Sequence, residues 1–277
     1  MYKNKIKSLL VDYFLSYNDK AFCLALEQQG ISANDSIMVH SSWLPRNGFK
    51  GRPVDIINAL KEVVTPSGLI IMPSLTYQNE SSKAFLMRNQ IMDVKRSASK
   101  MGLLSEVFRR GKNVYRSISP THPILAWGEK AEWFVSEHEK AISPFGKGSP
   151  FEKLMHLKGK ILTIDASFST ITYTHFLEDR IASFLPFALY DDELLSGTVV
   201  DLDNNTRKVP VKVLSEVANR MRREQKLVAE MEKKKLIKRK RIGNTQLMLI
   251  DCCEMTECVD EMVRRGMLFF DVPGSMG

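Results

Sequence analysis

The feature that most constrains the fold is an alternation of apolar segments and one amphipathic segment between residues 36 and 74. SIMVHSS (36–42) and GLIIMPS (68–74) are short apolar runs typical of buried strands, and VDIINALKEVV (54–64) has apolar residues at helical spacing. Gly and Pro residues separate the three segments. A strand, a helix and a second strand in this order predict an α/β layer fold with parallel strand pairing.

The residue pattern changes after Pro186. Residues 196–213 predict a β-hairpin with its turn at Asp203–Asn205, and a basic helix (215–234), two strands and a helix near 255–266 are predicted to follow. Helices are also predicted within residues 4–30. A chain of 277 residues is long enough for one large domain or two small ones. We predict one domain over 1–277, with an α/β core (1–186) and an α+β second half (187–277).

The net charge of +8 is concentrated in one segment. Residues 220–241 contain 11 basic and three acidic residues, so this basic run alone carries the whole excess. The run could be a solvated helix face, an RNA-binding surface or a site for an anionic small molecule. No aromatic residue lies between positions 191 and 268, which leaves no platform for base stacking. We therefore do not expect a nucleic acid as partner.

Several sequence features bear on the compartment. Apolar runs such as Leu69–Met72 are far shorter than the roughly 20 residues of a membrane span. The N-terminal segment contains Asp12 and has no small-residue cleavage site. The four cysteines lack paired CxxC spacing and do not resemble a disulfide framework. These features predict a cytoplasmic protein without a membrane span. The oligomeric state is left open, with a homodimer as the assembly to test.

Two histidines lie where predicted strands meet loops. His40 ends the first strand and precedes Ser41 and Ser42, and ligands of open α/β sheets gather beyond such strand ends. His122 lies in a loop whose flanking prolines limit its freedom. For both, the alternative is a histidine that only satisfies neighbouring groups.

His175 lies at a predicted helix start, three residues before Glu178 on the same helix face. An imidazole can act as a general base when a carboxylate holds its other ring nitrogen. The spacing alone is a weak signal. His138 and His156 are expected at the surface.

The chain lacks several well-known catalytic motifs. No HExxH, Walker, GxGxxG or GxSxG sequence occurs, so neither a zinc protease nor a serine-hydrolase elbow is supported. Cys252, Cys253 and Cys258 fit a strand and helix core better than a thiol nucleophile. No metal is expected.

Taken together, these segments resemble the aminoglycoside 3-N-acetyltransferase family, the non-GNAT antibiotic N-acetyltransferases. The most specific stretches are RSISPTHPILAWG (116–128) and PFGKGSPFEKL (144–154). The resemblance runs in the same order from about residue 10 to 266. Further matching stretches are MVHSS (38–42), GRPVDIINALKEVV (51–64), LIIMPS (69–74), MGLLSEVFRR (101–110), THFLE (174–178) and RIGNTQLMLID (241–251).

The resemblance implies a three-layer α/β/α fold around a mostly parallel sheet. It also implies direct transfer from acetyl-CoA to a primary amine of an amino sugar, without a metal. His175 corresponds to the family's general base, Glu216 is the best match for the carboxylate that orients it, and Thr172 is a candidate oxyanion donor. The residues expected to face the coenzyme are His40, Ser41, Ser42, Ser74, Ser119, Thr121 and His122.

The acceptor is where the sequence departs from the family. The usual Asp-x-Asn-Thr before the catalytic histidine is replaced by residues 169–172, STIT, and the excess charge is positive although aminoglycosides are polycations. We therefore expect an anionic or nucleotide-linked amino sugar, with Glu178, Lys238 and Arg239 in its site. The alternatives are an aminoglycoside 3-N-acetyltransferase conferring antibiotic resistance, a hydrolase using the same histidine, and a non-catalytic basic binding module.

Overall fold

A seven-stranded sheet lies at the centre of the structure, a computed structural model that describes residue 11, residues 13–43 and residues 47–272. The strand order is β4-β5-β2-β1-β6-β10-β9, and a second sheet has the order β3-β7-β8. The helices predicted before residue 11 lie outside the described residues. The strands are β1 (Ser36–Ser41), β2 (Leu69–Pro73), β3 (Ile91–Asp93), β4 (Val114–Arg116), β5 (Ile124–Trp127), β6 (Lys160–Ile164), β7 (Leu195–Val200), β8 (Thr206–Val211), β9 (Lys238–Ile242) and β10 (Thr245–Asp251).

Helices cover both faces of the central sheet. Alternate residues of β1 point to opposite sides: Ile37 and Val39 join one buried apolar cluster, and Met38 joins another. The three-layer α/β/α prediction is therefore confirmed. The helices are α1 (Asp19–Gln29), α2 (Pro53–Val64), α3 (Ser82–Met87), α4 (Leu103–Arg109), α5 (Ala131–Val135), α6 (Pro150–His156), α7 (Tyr173–Arg180), α8 (Glu216–Met221), α9 (Glu224–Lys233) and α10 (Cys252–Arg264).

The central sheet is mixed, whereas a mostly parallel sheet was expected. Strand β1 pairs in parallel with β2 and β6, but β5, β4, β10 and β9 add antiparallel pairs at the two sides. Only the β1–α2–β2 unit has a sequence pattern that predicts a crossover between parallel strands. Strands β9 and β10 are joined by two residues, a connection long enough for an antiparallel hairpin and too short for a parallel pair.

The predicted boundary at residue 186 does not divide the sheets. Strands β9 and β10 extend the central sheet built by the first half, and β3 of the first half pairs with β7 of the second. The basic helix predicted over 215–234 is two helices, because the chain turns at Arg222 and Arg223 between α8 and α9. This break positions Arg222 at the candidate site.

One glycine of the family-like stretch has a packing reason. Gly128 ends RSISPTHPILAWG and has φ of +132°, and a Cβ there would lie 2.0 Å from the backbone oxygen of Gly68. Only glycine permits this close approach of two backbone segments.

Candidate active site

The carboxyl ends of the central strands border a cavity of about 390 Å³. Residues from β1, from the end of β2 and from the start of α4 line it together with the loop that precedes α7. The strand-end location matches the expectation for ligands of an α/β sheet. The lining residues include His40, Ser41, Ser42, Pro73, Gly102, Leu103, Thr170 and Thr172.

Buried polar atoms at this edge lack partners within the described part of the chain. The Nε2 atom of His40 and the Oγ atom of Ser74, next to Pro73, have no hydrogen bond there. Burial lowers the pKa of His40 to about 4, so its ring is neutral near pH 7. Unpaired buried polar atoms cost free energy, and a polar ligand would offset that cost.

His175 lies on helix α7, one turn after the cavity-lining Thr172. Its Nδ1 atom is 2.9 Å from Oε2 of Glu178, and 22% of its side chain is exposed, whereas the Glu178 side chain is fully buried. Arg222 donates two hydrogen bonds to the same carboxylate, from Nε to Oε1 and from Nη2 to Oε2, the second at 2.8 Å. The three side chains form a chain of charge-assisted contacts.

The electrostatics of this trio fix the state of the imidazole. Burial by itself would raise the pKa of Glu178, but His175 and Arg222 outweigh it and lower the pKa. The ionised carboxylate can only accept, so His175 donates through its Nδ1–H. In the neutral form of the ring, Nε2 then carries the lone pair that can take a proton.

The trio corrects two expectations about carboxylates. Glu216 is an exposed residue at the start of α8, and the carboxylate that contacts His175 is Glu178. Glu178 was expected to bind substrate, but its side chain is enclosed by its partners. The HFLE spacing pointed to Glu178, because residues three apart share a helix face. Arg222, 44 positions away, gave no sequence signal.

The PTHP loop lies beside this trio. Ser119 accepts a hydrogen bond from the His122 backbone N–H at 3.2 Å, and Thr121 pairs with His122 Nδ1 at 3.0 Å. Ser119 and Thr121 therefore hold the loop and do not line the 390 Å³ cavity. The His122 ring is 6.5 Å from the His175 ring, and both contact Phe145, at 4.5 and 4.8 Å between ring centroids.

His138 is buried rather than exposed as expected. Its Nε2–H donates to the Pro144 carbonyl at 2.9 Å, and its Nδ1 accepts from the Ser117 hydroxyl at 2.8 Å. Burial lowers its pKa to about 4. The ring thus ties the loop before β5 to the segment that carries Phe145, a role that its polar sequence neighbours concealed.

The last part of the basic run, on strand β9, lies at the edge of the sheet. Arg239, on edge strand β9, forms an ion pair with Glu232, and with Lys240 and Arg241 it borders a separate groove of about 840 Å³. Lys238 is exposed on the same strand. Two strands, β10 and β6, separate this strand from the His40 end of β1. Neither Lys238 nor Arg239 lines the 390 Å³ cavity.

Comparison with known proteins settles the family. The sequence model of the aminoglycoside 3-N-acetyltransferases matches residues 38–264, most of the chain. The chain belongs to this family. The resemblance inferred from the PTHP and GSP stretches is therefore confirmed. The members of this family are CoA-dependent acyltransferases.

Curated relatives of this acetyltransferase family member are distant. The aminoglycoside N(3')-acetyltransferase-like protein YokD of Bacillus subtilis is 28% identical over an alignment of 171 positions, which covers 56% of this chain and 62% of that relative. This chain thus spans less than two thirds of YokD. An aminoglycoside N(3)-acetyltransferase III of a Salmonella species is 25% identical over an alignment of 209 positions, which covers 68% of this chain and 72% of that protein.

Solved structures of family members share the fold. The aminoglycoside acetyltransferase AAC(3)-Xa superposes with a TM-score of 0.78 at 19% identity, covering 96% of this chain and 98% of that one. AAC-IIIb in binary complex with CoASH superposes at 0.73 and 22% identity, covering 91% and 97%. At these identities the likeness establishes the fold alone.

Two further observations concern the described residues of this family member. Within residues 11, 13–43 and 47–272, no helix has the length and apolar character needed to cross a bilayer. The same ranges contain no group of three or more His, Cys, Asp or Glu side chains arranged to hold a metal ion.

Proposed function

We propose that the protein transfers the acetyl group of acetyl-CoA to a primary amine of an amino sugar, with His175 as general base. The observation that carries the proposal is the contact of His175 with the buried Glu178–Arg222 pair beside the strand-end cavity. Such a pair fixes the ring tautomer and stabilises the imidazolium that forms during proton transfer.

The cavity fits the thioester arm of acetyl-CoA. Ser41 and Ser42 line the cavity with small side chains. The unpaired atoms of His40 and Ser74 lie at the same edge of the sheet. Gly102 borders the cavity with φ of +101°, a conformation that favours glycine. These residues would hold the arm, whose thioester supplies an activated acetyl group. AAC-IIIb, which shares this fold, binds CoASH, and this supports CoA as the ligand class.

The chain's own residues then act on the proton. A sugar ammonium group first releases one proton to solvent to become a nucleophilic amine. Nε2 of His175 then accepts a second proton from the nitrogen as it attacks the thioester carbon. Glu178 and Arg222 hold the ring through Nδ1. Thr172 and backbone N–H groups at the start of α7 are candidate donors to the oxygen that gains charge.

We infer that the acceptor is a cationic aminoglycoside and not an anionic sugar. Glu224 is half-buried at the start of α9, and no ion pair or hydrogen bond to its carboxylate is found among the described residues. Burial raises its pKa, and Arg222 and His175 are close enough to oppose that rise. A half-buried, unpaired carboxylate near the base suits an ammonium group.

Solved structures of similar proteins support the same acceptor class. The structure of AAC-VIa contains bound sisomicin and that of an AAC(3)-IVa variant contains a gentamicin, at TM-scores of 0.73. The basic run, which motivated the anionic acceptor, is in large part paired within the protein. We further propose that the reaction takes place in the cytoplasm, where acetyl-CoA is available and the four free cysteines stay reduced.

The test is an acceptor screen with the full chain. Acetyl-CoA, a thiol reagent and one amine are incubated, and CoA release and the product mass are recorded for sisomicin and for a nucleotide-linked amino sugar. We expect release with sisomicin and an added acetyl mass. Release without any amine would indicate a hydrolase, and no release with either amine would contradict acetyl transfer to amino sugars.

A further inference from the structure

His122 is a second imidazole beside the proposed base. Its residue is 7% exposed, and its ring packs edge-on against Phe145 and lies 6.5 Å from the ring of His175. Pro120 and Pro123 limit the freedom of its loop, and Ser119 accepts from its backbone N–H. A ring held this firmly has a fixed direction relative to His175.

The hydrogen bonds define its tautomer. The Thr121 hydroxyl is fully buried, and its one partner within the described residues is Nδ1 of His122, at 3.0 Å. A buried hydroxyl hydrogen needs an acceptor, so Thr121 donates to Nδ1. The proton of the neutral ring is then on Nε2, for which the described residues provide no hydrogen-bond acceptor. His122 thus has an N–H donor without an acceptor among the described residues, on a ring whose centroid lies 6.5 Å from that of His175.

We infer that His122 is a second catalytic residue, whose neutral Nε2–H donates a hydrogen bond to the carbonyl oxygen of the acetyl thioester during transfer. This inference rests on the proposed function. The 6.5 Å between the two ring centroids brings both imidazoles within reach of one bound thioester, and we assign the amine to the His175 side and the oxygen to the His122 side.

The step balances with the groups named. A bond forms between the amine nitrogen and the thioester carbon, and the amine proton passes to Nε2 of His175. Negative charge develops on the carbonyl oxygen, where the His122 N–H stabilises it. The carbonyl then re-forms, and the carbon–sulfur bond breaks with its electron pair going to sulfur. The sulfur takes the proton from His175 and leaves as the CoA thiol.

The surroundings keep the two imidazoles distinct. Burial lowers the pKa of His122 well below its usual value, and the nearby His175 and His138 lower it further. His122 has no carboxylate partner among the described residues, whereas His175 contacts Glu178. One ring can therefore gain a proton while the other stays a neutral donor.

The experiment compares three variants with the wild-type chain, using acetyl-CoA and sisomicin. His122→Phe removes the donor, His122→Gln places an amide N–H near the former Nε2, and Thr172→Val removes the donor expected from the sequence. We expect His122→Phe to lower kcat by ~10²–10³ with the KM for acetyl-CoA nearly unchanged. We expect His122→Gln to recover most of kcat and Thr172→Val to have a smaller effect. His156→Gln, at an exposed position of α6, is the matched control.

A second readout does not depend on turnover. Nitrogen-15 NMR of the imidazoles should show His122 as the neutral Nε2–H tautomer across the range from about pH 5.5 to about pH 8, since its pKa lies well below the usual histidine value. Its Nε2–H proton should shift when an acetyl-CoA analogue with CH₂ in place of sulfur is added. A Nδ1–H tautomer, an unshifted proton, or equal losses in His122→Phe and His122→Gln at unchanged melting temperature would overturn the inference. A wild-type chain that transfers no acetyl group would instead refute the proposed function.

Discussion

The basic run at 220–241 and the strand-end site around His175 differ in how visible they are in the sequence and in the fold. The run is the strongest signal in the sequence, yet its members are mostly exposed and many pair with acids nearby. The site gives weak sequence signals, yet it collects buried groups whose charges and protons are tightly fixed. The ion pairs of the run include Arg223 and Lys226 with Asp271, Lys233 with Glu230, Lys234 with Glu261 and Arg239 with Glu232.

The difference shows that burial, more than charge density, marks where chemistry can occur. Exposed ion pairs are screened by water and contribute little, whereas a charge enclosed by protein must be matched by a specific partner. Within the basic run, Arg222 and Arg223 show the same difference between a buried and an exposed charge. Its side chain is 15% exposed and bound to the fully buried Glu178, while that of its neighbour Arg223 is 38% exposed.

The largest expected effect is that of removing the base. His175→Ala should lower kcat by ~10²–10⁴, because it removes the imidazole that takes the amine proton, and should leave acetyl-CoA affinity near that of the wild type. Steady-state kinetics and calorimetric titration with CoA measure the two quantities. His156→Ala is the control. Unchanged turnover in His175→Ala would remove this residue from the mechanism.

The second prediction contrasts two arginines of the run by stability. Arg222→Ala leaves the buried carboxylate of Glu178 without its main cation, so the free energy of unfolding should fall by about 3–5 kcal/mol. Arg223→Ala breaks an exposed pair with Asp271 and should change little. Urea unfolding of both variants at neutral pH makes the comparison. Equal losses would mean that burial does not separate the two positions.

The third prediction uses the pH dependence of stability. Burial lowers the pKa of His40 and His138 to about 4 in the folded chain, while an unfolded histidine titrates near 6.5. Below about pH 6.5 the unfolded chain therefore binds protons that the folded chain does not, so stability is full above that pH and is lost as the pH falls toward 4. At about pH 5 each histidine should cost about 2 kcal/mol relative to neutral pH.

Urea unfolding at a series of pH values from about 7 down to about 5 checks this expectation. His138→Gln should reduce the change across this range, because it removes one of the titrating groups. His156→Gln, at an exposed position, should not. A free energy of unfolding that stays constant across the whole range would show that these rings titrate normally.

The sequence predicts the elements with strong local patterns and misses what depends on distant partners. The amphipathic run at 54–64 is α2 (Pro53–Val64), and the PTHP and GSP stretches identified the family. The spacing of His175 and Glu178 within one helix was also legible. The contact of Arg222 with Glu178 could not be predicted, because the two residues are 44 positions apart. Arg222 also lies at a break between α8 and α9, and the uniformly polar sequence gives no sign of that break. Antiparallel edge pairing was missed because short strands do not reveal their neighbours.

The fourth prediction tests the acceptor side of the site. Glu224→Gln removes a half-buried negative charge near His175, so the KM for sisomicin should rise about tenfold while the KM for acetyl-CoA stays constant. Glu216→Gln, an exposed acid at the start of α8, is the matched control and should leave both values unchanged. A KM for sisomicin that is the same in Glu224→Gln and the wild type would exclude Glu224 as an ammonium partner.

The smallest expected effect is on the basic strand itself. Reversing the charges of Lys238 and Arg239 to Glu should change the KM of any acceptor by less than about twofold, because both residues lie on edge strand β9, outside the 390 Å³ cavity, and charges beyond a Debye length of ~8 Å are largely screened at physiological salt. Steady-state kinetics with sisomicin and with a nucleotide-linked amino sugar check this. A raised KM for the anionic sugar alone would favour the acceptor first inferred from the net charge, and a raised KM for acetyl-CoA alone would assign the strand to the coenzyme phosphates.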